Sequence, residues 1–370
     1  MVKIAERLDK IELSGIRKMF EAKPKGAINL GLGEPDFDIP ENVKMAMKNA
    51  LDEGQTHYTH NMGIPELREE IAKKLKKDNN INTNPDSVMV AVGASEALYI
   101  STQALFEKGD EVLIPDPGFV SYKGCVDLSQ AEAIPIELDF NNDYKMTVED
   151  IENKINKNTK GLILNSPSNP TGAVMDKEDI KTISDLATDN DFIILSDEIY
   201  EKIIYTKKHH SPAQFSDNVI TINGFSKTYA MTGLRVAYLT GQRDIVDEIL
   251  KVHQYNVAGA SSISQIGAIE ALKGPQNYVD NIVKEFKRKR DLIISRLTKM
   301  GLNCPNPEGS FYVFPKVNNG NKFAQMALNT GVVTTPGVSF GESSKNNIRM
   351  SYATSYEEIE EAMNRLEKVV

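Results

Sequence analysis

Residues 219–235 read VITINGFSKTYAMTGLR. A β-branched run, Val219 to Ile222, passes through a glycine turn to Ser226 and Lys227, and Arg235 stands eight residues beyond the lysine. A lysine at the mouth of a buried strand is poorly placed as a solvated charge. Partial burial disfavours its ammonium form and frees an amine able to form a Schiff base with a carbonyl. Arg235 is then free to hold an anion such as a phosphate through two parallel hydrogen bonds. Standing alone, the stretch describes a strand-end lysine and a surface arginine just as well. Its neighbours decide between the two.

Upstream, four more runs have the same form. SVMVAV (87–92) precedes Gly93-Ala94-Ser95, DEVLIP (110–115) precedes Asp116-Pro117-Gly118-Phe119, GLILN (161–165) precedes SPSNPTG, and FIILSD (192–197) ends on Asp197 with Tyr200 just beyond. Short β-branched runs alternating with helical patterns predict a mostly parallel sheet with helices on both faces. Ligands of such sheets bind outside the carboxyl ends of the strands. Here those ends carry a small-residue loop, an aromatic ring, an amide (Asn169), a carboxylate and a lysine.

Before this core, residues 41–54 and 66–77 are helical by pattern, with Leu67, Ile71 and Leu75 recurring every four residues. Tyr58 lies in the loop between them. Residues 1–28 read as a short amphipathic segment with Ile11, Leu13, Ile16, Met19 and Phe20 loosely on one face. Gly31-Leu32-Gly33 resembles a dinucleotide-binding loop, but that fingerprint needs glycine at position 36, which is Asp36. After residue 240 the pattern is helical, punctuated at Lys273-Gly274-Pro275. Residues 310–317 and 347–353 read as strands of a smaller α/β unit, with Arg349 on the second, and an amphipathic helix follows.

Composition narrows the classes. With 370 residues, 40% apolar and 26% charged, the chain can bury a large core in two domains or in one with a substantial appendage. A net charge of −9 argues against a surface dedicated to nucleic acid or anionic lipid. The basic run KEFKRKRD (284–291) lies among Ile282, Val283, Phe286 and Leu292, and reads as a charged helix face. The two cysteines, Cys125 and Cys304, make no disulfide framework and read as small packing residues in a reducing compartment. His209-His210 has no third ligand at motif spacing, so no metal is expected. Arg17 and Arg68 read as structural or surface groups. No leader or membrane-spanning run is evident, and a cytoplasmic location is expected.

The five strand ends call for a ligand with a reactive carbonyl, a ring, a basic ring nitrogen and an anionic tail. Pyridoxal phosphate has all four. Lys227 takes the aldehyde, Phe119 stacks on the ring and Asp197 holds the protonated ring nitrogen. Asn169 and Tyr200 can donate to the ring oxygen. The Gly93–Ser95 backbone opens a helix whose amino end favours phosphate, with Ser226 and Arg235 adding donors.

LGLGEPDF, HYTHNMGIPELRE, SPSNPTG, SDEIYE, GFSKTYAMTGLR and IRMSYA then occur in the order, and near the distances, of a known family. The chain resembles, nearly end to end, the class I aminotransferases of the fold type I pyridoxal-phosphate enzymes. Within them it is most similar to the prokaryotic and archaeal subgroup that includes aspartate and aromatic aminotransferases. The resemblance implies an α/β fold: a large domain (41–279) around a mostly parallel seven-stranded sheet, and a small α/β domain formed by 1–40 and 280–370. It implies catalytic roles for Lys227, Asp197 and Tyr200. Gly93, Ala94, Ser95, Phe119, Asn169, Ser226 and Arg235 would bind the cofactor. Arg349, with Gly33 and Asn169, would hold the substrate. Tyr58 would reach the phosphate in a partner subunit, which implies a homodimer with shared sites. The implied reaction is ping-pong transfer of an amino group from aspartate or an aromatic amino acid to a 2-oxo acid such as 2-oxoglutarate. A β-lyase on the same scaffold and a non-catalytic pyridoxal-phosphate-sensing regulator are the alternatives, and the regulator would need a DNA-binding domain for which the chain has no spare length. Three positions depart from the pattern: Gly224 where many relatives carry serine, Leu234 in place of a frequent tryptophan, and Ser95 where some aspartate-using relatives carry lysine.

Overall fold

The computed structural model describes residues 4–9, 11 and 26–369. Arg17 and, apart from Ile11, the apolar face expected between residues 11 and 20 lie outside the described residues. Strand β1 (Ile28–Asn29) precedes helices α1 (Glu41–Asp52) and α2 (Pro65–Asn79). The two helices cover the segments expected from periodicity. Pro65 opens α2 where no amide donor is needed, and Asn80 closes it in the left-handed conformation. Strand and helix then alternate through β2 (Val88–Ala91), α3 (Ala94–Leu105), β3 (Glu111–Asp116), α4 (Ser121–Leu128), β4 (Glu132–Glu137), α5 (Val148–Glu152), β5 (Thr159–Asn165), α6 (Lys177–Asp189) and β6 (Ile193–Asp197). Strands β7 (Val219–Gly224) and β8 (Ala237–Thr240) complete this part. Helices α7 (Arg243–Asn256), α8 (Ser262–Lys273) and α9 (Asn277–Lys299) follow, with the predicted break at Gly274-Pro275 between the last two. The chain ends with β9 (Tyr312–Val313), α10 (Gly320–Asn329), β10 (Val332–Val333), β11 (Thr335–Pro336), β12 (Ile348–Ser351) and α11 (Tyr356–Leu366). The strands expected at 310–317 and 347–353 are thus shorter than their apolar runs.

Seven strands form one sheet in the order β2-β8-β7-β6-β5-β3-β4, parallel except for β8, which is antiparallel to both of its neighbours. Neither β4 nor β8 is expected from the pattern along the chain. Proline at position 135 disguises β4, and it is tolerated because β4 is an edge strand pairing only with β3. The central strands are continuous apolar runs because both faces are covered. Ile163, Leu195 and Ile220 pack into a core with Ala97, Ile100, Val126 and Ile249, from helices α3, α4 and α7. Their neighbours Leu162, Leu164 and Ile194 point the other way, toward Ile180, Ile183 and Ala187 of α6.

A second core joins β9, β12, α9 and α11 to Ile199, Tyr200 and Ile203, which follow β6. The small three-stranded sheet β11-β12-β9 is therefore packed on the exit of the main sheet. Helix α9 corrects the reading of the basic run. Lys284, Lys287 and Arg288 are exposed, but Lys289 and Arg290 are buried. Lys289 Nζ donates to both oxygens of Asp36 at 2.9 and 3.0 Å and lies 4.8 Å from the Phe37 ring centroid. Arg290 reaches the carbonyl of Pro307 at 3.1 Å and stacks on Tyr205 at 4.8 Å. Long side chains here carry charge inward to partners far away in sequence. Both thiols are shielded as well, and burial pushes Cys125 and Cys304 up to about 12.

Lys289→Ala removes a buried stem packed by Phe37 and Phe286 together with its ion pair to Asp36, so it should lower unfolding stability by about 2 kcal/mol. Lys287→Ala, on the exposed side of the same helix, should change it by less than about 0.5 kcal/mol. Thermal or denaturant melts distinguish the two, and equal effects would refute the inward placement.

Candidate active site

Parallel strands deliver their carboxyl ends to one edge of the sheet. β3 exits toward Phe119, β5 toward Asn169, β6 at Asp197 and β7 toward Ser226 and Lys227. Because β8 runs the other way, its entry lies at that same edge, beside the exits of β7 and β2: Ala237 pairs with both Gly224 and Ala91. This is why Arg235 joins residues it precedes or follows by many positions. Leu32, Gly33, Ala94, Ser95, Phe119, Asn169, Asp197, Tyr200, Ser226, Lys227, Arg235 and Arg349 all line one cavity of about 250 Å³.

Lys227 is half-buried and donates from Nζ to the carbonyl of Gly33 at 2.7 Å. Burial lowers its pKa to about 8; Glu34 opposes that shift, while Arg349 and Arg235 add to it. Asp197 shifts the other way. Burial raises its carboxyl above the ordinary range, against the Tyr122 hydroxyl on Oδ2 (2.8 Å) and the Ile199 amide on Oδ1 (3.3 Å). Asn165, the last residue of β5, holds the surrounding backbone. Its Nδ2 donates to the Asp197 carbonyl at 2.9 Å, and its Oδ1 accepts the Asn169 amide at 2.8 Å.

Arg349 is 2% exposed and lies between the rings of Tyr312 and Phe340, 4.5 and 4.7 Å from their centroids. Nη1 donates to Asn169 Oδ1 at 2.9 Å and Nη2 to the Gly31 carbonyl at 2.6 Å, while Nε is buried without a partner. An unpaired donor on a buried cation marks a place for an acceptor. The Tyr200 hydroxyl lies 2.8 Å from that of Tyr312, and either can be the donor.

At the far end of the cavity, Gly93 caps α3 with φ +81°, and the Arg235 guanidinium occupies the space a Cβ there would fill. Arg235 is itself left-handed, at φ +50°, with Nη1 on the Thr232 carbonyl at 3.0 Å. The free amides at the start of α3, this guanidinium and Ser226 form a cradle suited to an anion. With the aromatic face of Phe119 and the carboxylate of Asp197, the residues present fit pyridoxal phosphate.

The sequence reading missed Tyr122, Tyr312, Asn165, Thr232 and Ile199. Nothing in their spacing sets them apart, since each is defined by what folds against it. Tyr58 is not brought to the cavity. It is 97% exposed, in a separate depression with His57 and Ala258–Ile263. His209 does meet two carboxylates that motif spacing did not show, Glu198 and Glu201. Their oxygens already accept hydrogen bonds: Glu198 from Ser196, Ser211 and His209, and Glu201 from Lys74 and Asn79. Arg68 is buried against Asp86.

The model of the family "Aminotransferase class I and II" matches residues 25–366. The chain is 47% identical to a probable aspartate aminotransferase of Methanocaldococcus jannaschii over 99% of both chains. It is 39% identical to aromatic-amino-acid aminotransferase 2 of Thermococcus litoralis, over 99% of this chain and 98% of that one. Among solved structures, aspartate aminotransferase of Thermus thermophilus with maleate superposes over 100% of both chains with a TM-score of 0.96 at 34% identity. An aromatic aminotransferase of Pyrococcus horikoshii gives 0.91 at 39% identity, covering 96% of this chain and 98% of that one. With a half-buried lysine, a carboxylate and an anion cradle meeting at one sheet edge, and with these likenesses spanning nearly its whole length, the chain belongs to the class I and II aminotransferase family.

Proposed function

We propose that this aminotransferase uses pyridoxal phosphate to move the amino group of aspartate, an aromatic amino acid or both to a 2-oxo acid such as 2-oxoglutarate, in a ping-pong cycle. The observation that carries the reading is Lys227, whose pKa is brought to about 8 in a cavity that also holds Asp197 and Arg349. When bound, the cofactor supplies a carbonyl that joins amines and a ring that withdraws electrons from the attached carbon.

The protein's own groups do the rest. Lys227, with Nζ near neutrality in its acid–base balance, takes a proton from the substrate Cα and returns it elsewhere. Asp197, braced by Tyr122 and Ile199, holds a proton at the ring nitrogen. Arg349 offers its fork, including the unpaired Nε, to the substrate carboxylate, with Asn169 and the backbone at Gly33 fixing the orientation. Tyr200 and Asn169 serve the ring oxygen, Phe119 packs on the ring, and Gly93–Ser95, Ser226 and Arg235 take the phosphate. The described cations lining the cavity are Lys227, Arg235 and Arg349, all engaged in these roles. That, together with the names of relatives of both kinds, supports accepting uncharged aromatic side chains alongside aspartate.

The reading extends to a homodimer in which the exposed Tyr58 reaches the partner's phosphate, and to a small domain (1–40 and 280–370) that closes on the large one (41–279). Among the described residues no helix is long and apolar enough to cross a membrane, in keeping with a cytoplasmic enzyme.

Mixing the cofactor-loaded protein with aspartate, glutamate, tyrosine or phenylalanine should convert its absorbance to that of the amine form and release the matching 2-oxo acid. Ammonia and pyruvate from a β-substituted donor without an acceptor would point to the lyase alternative instead. Lys227→Ala should slow conversion by at least about a thousandfold, and Asp197→Ala by about a hundredfold or more. Near-normal turnover in either would overturn its assignment. The free amine is the reactive form, so attachment of pyridoxal phosphate to cofactor-free protein should quicken about tenfold per pH unit below pH 8 and level off above it. A lysine at its ordinary value would keep accelerating to about pH 10 in stopped-flow traces. Finally, mixing inactive Lys227→Ala with impaired Tyr58→Ala subunits should restore activity toward about a quarter of wild type, because each hybrid dimer holds one intact site. No gain after subunit exchange would mean that sites are not shared.

A further inference from the structure

We infer that Glu96, held from behind by His253 and Asn256, is a positioning residue for the anion cradle at Gly93–Ser95; the inference rests on the phosphate reading above. Glu96 is the third residue of α3, where a carboxylate ordinarily folds back onto the free amides of its own first turn. Here it does not. Oε2 accepts the amide of Val92, the residue before the turn, at 2.5 Å. Oε1 accepts from His253 Nδ1 at 2.9 Å and from Asn256 Nδ2 at 3.3 Å, both on α7. Glu96 is 8% exposed and His253 is fully buried.

His253 Nε2 is also buried and has no partner. The tautomer with its single proton on Nδ1 leaves no buried donor unpaired, so His253 donates to Glu96. Two consequences follow for the cradle. The Val92–Gly93 turn is pinned from the core side, which holds Gly93 at φ +81° and keeps open the space that the Arg235 guanidinium enters. In addition, the only acid in the first turn of α3 is drawn away from the amides of Ala94 and Ser95, which stay available to an external anion. A free carboxylate at that position would compete for the same helix end.

The test compares ligands that differ only in the phosphate. Dissociation constants of pyridoxal phosphate and of pyridoxal are measured on cofactor-free protein by absorbance titration, alongside the melting temperature of each variant. Glu96→Ala should weaken pyridoxal phosphate by about tenfold or more, the cost of losing hydrogen bonds to a charged acceptor, while pyridoxal stays within about twofold. Glu96→Gln, which can still accept from Val92, should stay within about threefold of wild type for both. His253→Leu removes Nδ1 and frees the carboxylate, so it should show the same phosphate-selective loss; it decides the matter if Glu96→Ala does not fold. Equal weakening of both ligands, or no change in either, overturns the inference. A wild-type protein that binds pyridoxal as tightly as pyridoxal phosphate overturns the phosphate reading itself.

Discussion

The site depends on the reversal of a single strand. In an all-parallel sheet, the segment after the Lys227 turn would leave the cavity edge and return only through a further helix. Strand β8 instead runs antiparallel between β7 and β2, so Arg235 enters the sheet at the edge from which Lys227 has just left it. Lys227 and Arg235 are thereby held at the ends of adjacent strands of one sheet. Tyr238 and Leu239 of that strand are buried in opposite layers, so the reversal is fixed by packing on both faces.

Charge balance in the cavity follows from this arrangement. Three cationic side chains, Lys227, Arg235 and Arg349, line a small cavity with Asp197 as the facing carboxylate. Burial acts on each sign as expected, lowering Lys227 and Arg349 and raising Asp197. The surplus of positive charge suits a ligand pair with two anionic ends, one at the Gly93 turn and one at Arg349. Burial above all, with Arg349 and Arg235 adding to it, brings the Lys227 amine down to about 8.

How much of this was legible in the sequence depended on whether a residue's role is local. Lys227, Asp197 and Asn169 sit at strand exits, and the alternation of strand and helix places such exits together without any knowledge of packing. Strand β4 was masked by Pro135, and β8 (Ala-Tyr-Leu-Thr) by its lack of a run of β-branched residues. Tyr122, Asn165 and Tyr312 act through partners 75, 32 and 112 positions away, and no spacing rule links them. Lys289 illustrates the opposite failure. Its neighbours in sequence describe a solvated face, but the segment at Asp36, 253 positions earlier, packs against it and shields it from solvent. Tyr58 is singled out by the family resemblance alone, and its own chain leaves it in solvent.

Two of the three cations lining the cavity rest on peptide oxygens of one short strap: Lys227 on the carbonyl of Gly33 and Arg349 on that of Gly31. These carbonyls act as placeholders. A ligand that arrives trades a peptide acceptor for its own instead of rescuing a bare charge, so the affinity gained is the difference between two good partners. That moderation suits a catalyst that must discharge a product after every half-cycle. A clamp with nothing to hold between turnovers would bind its product as firmly as its substrate, and release would govern the rate.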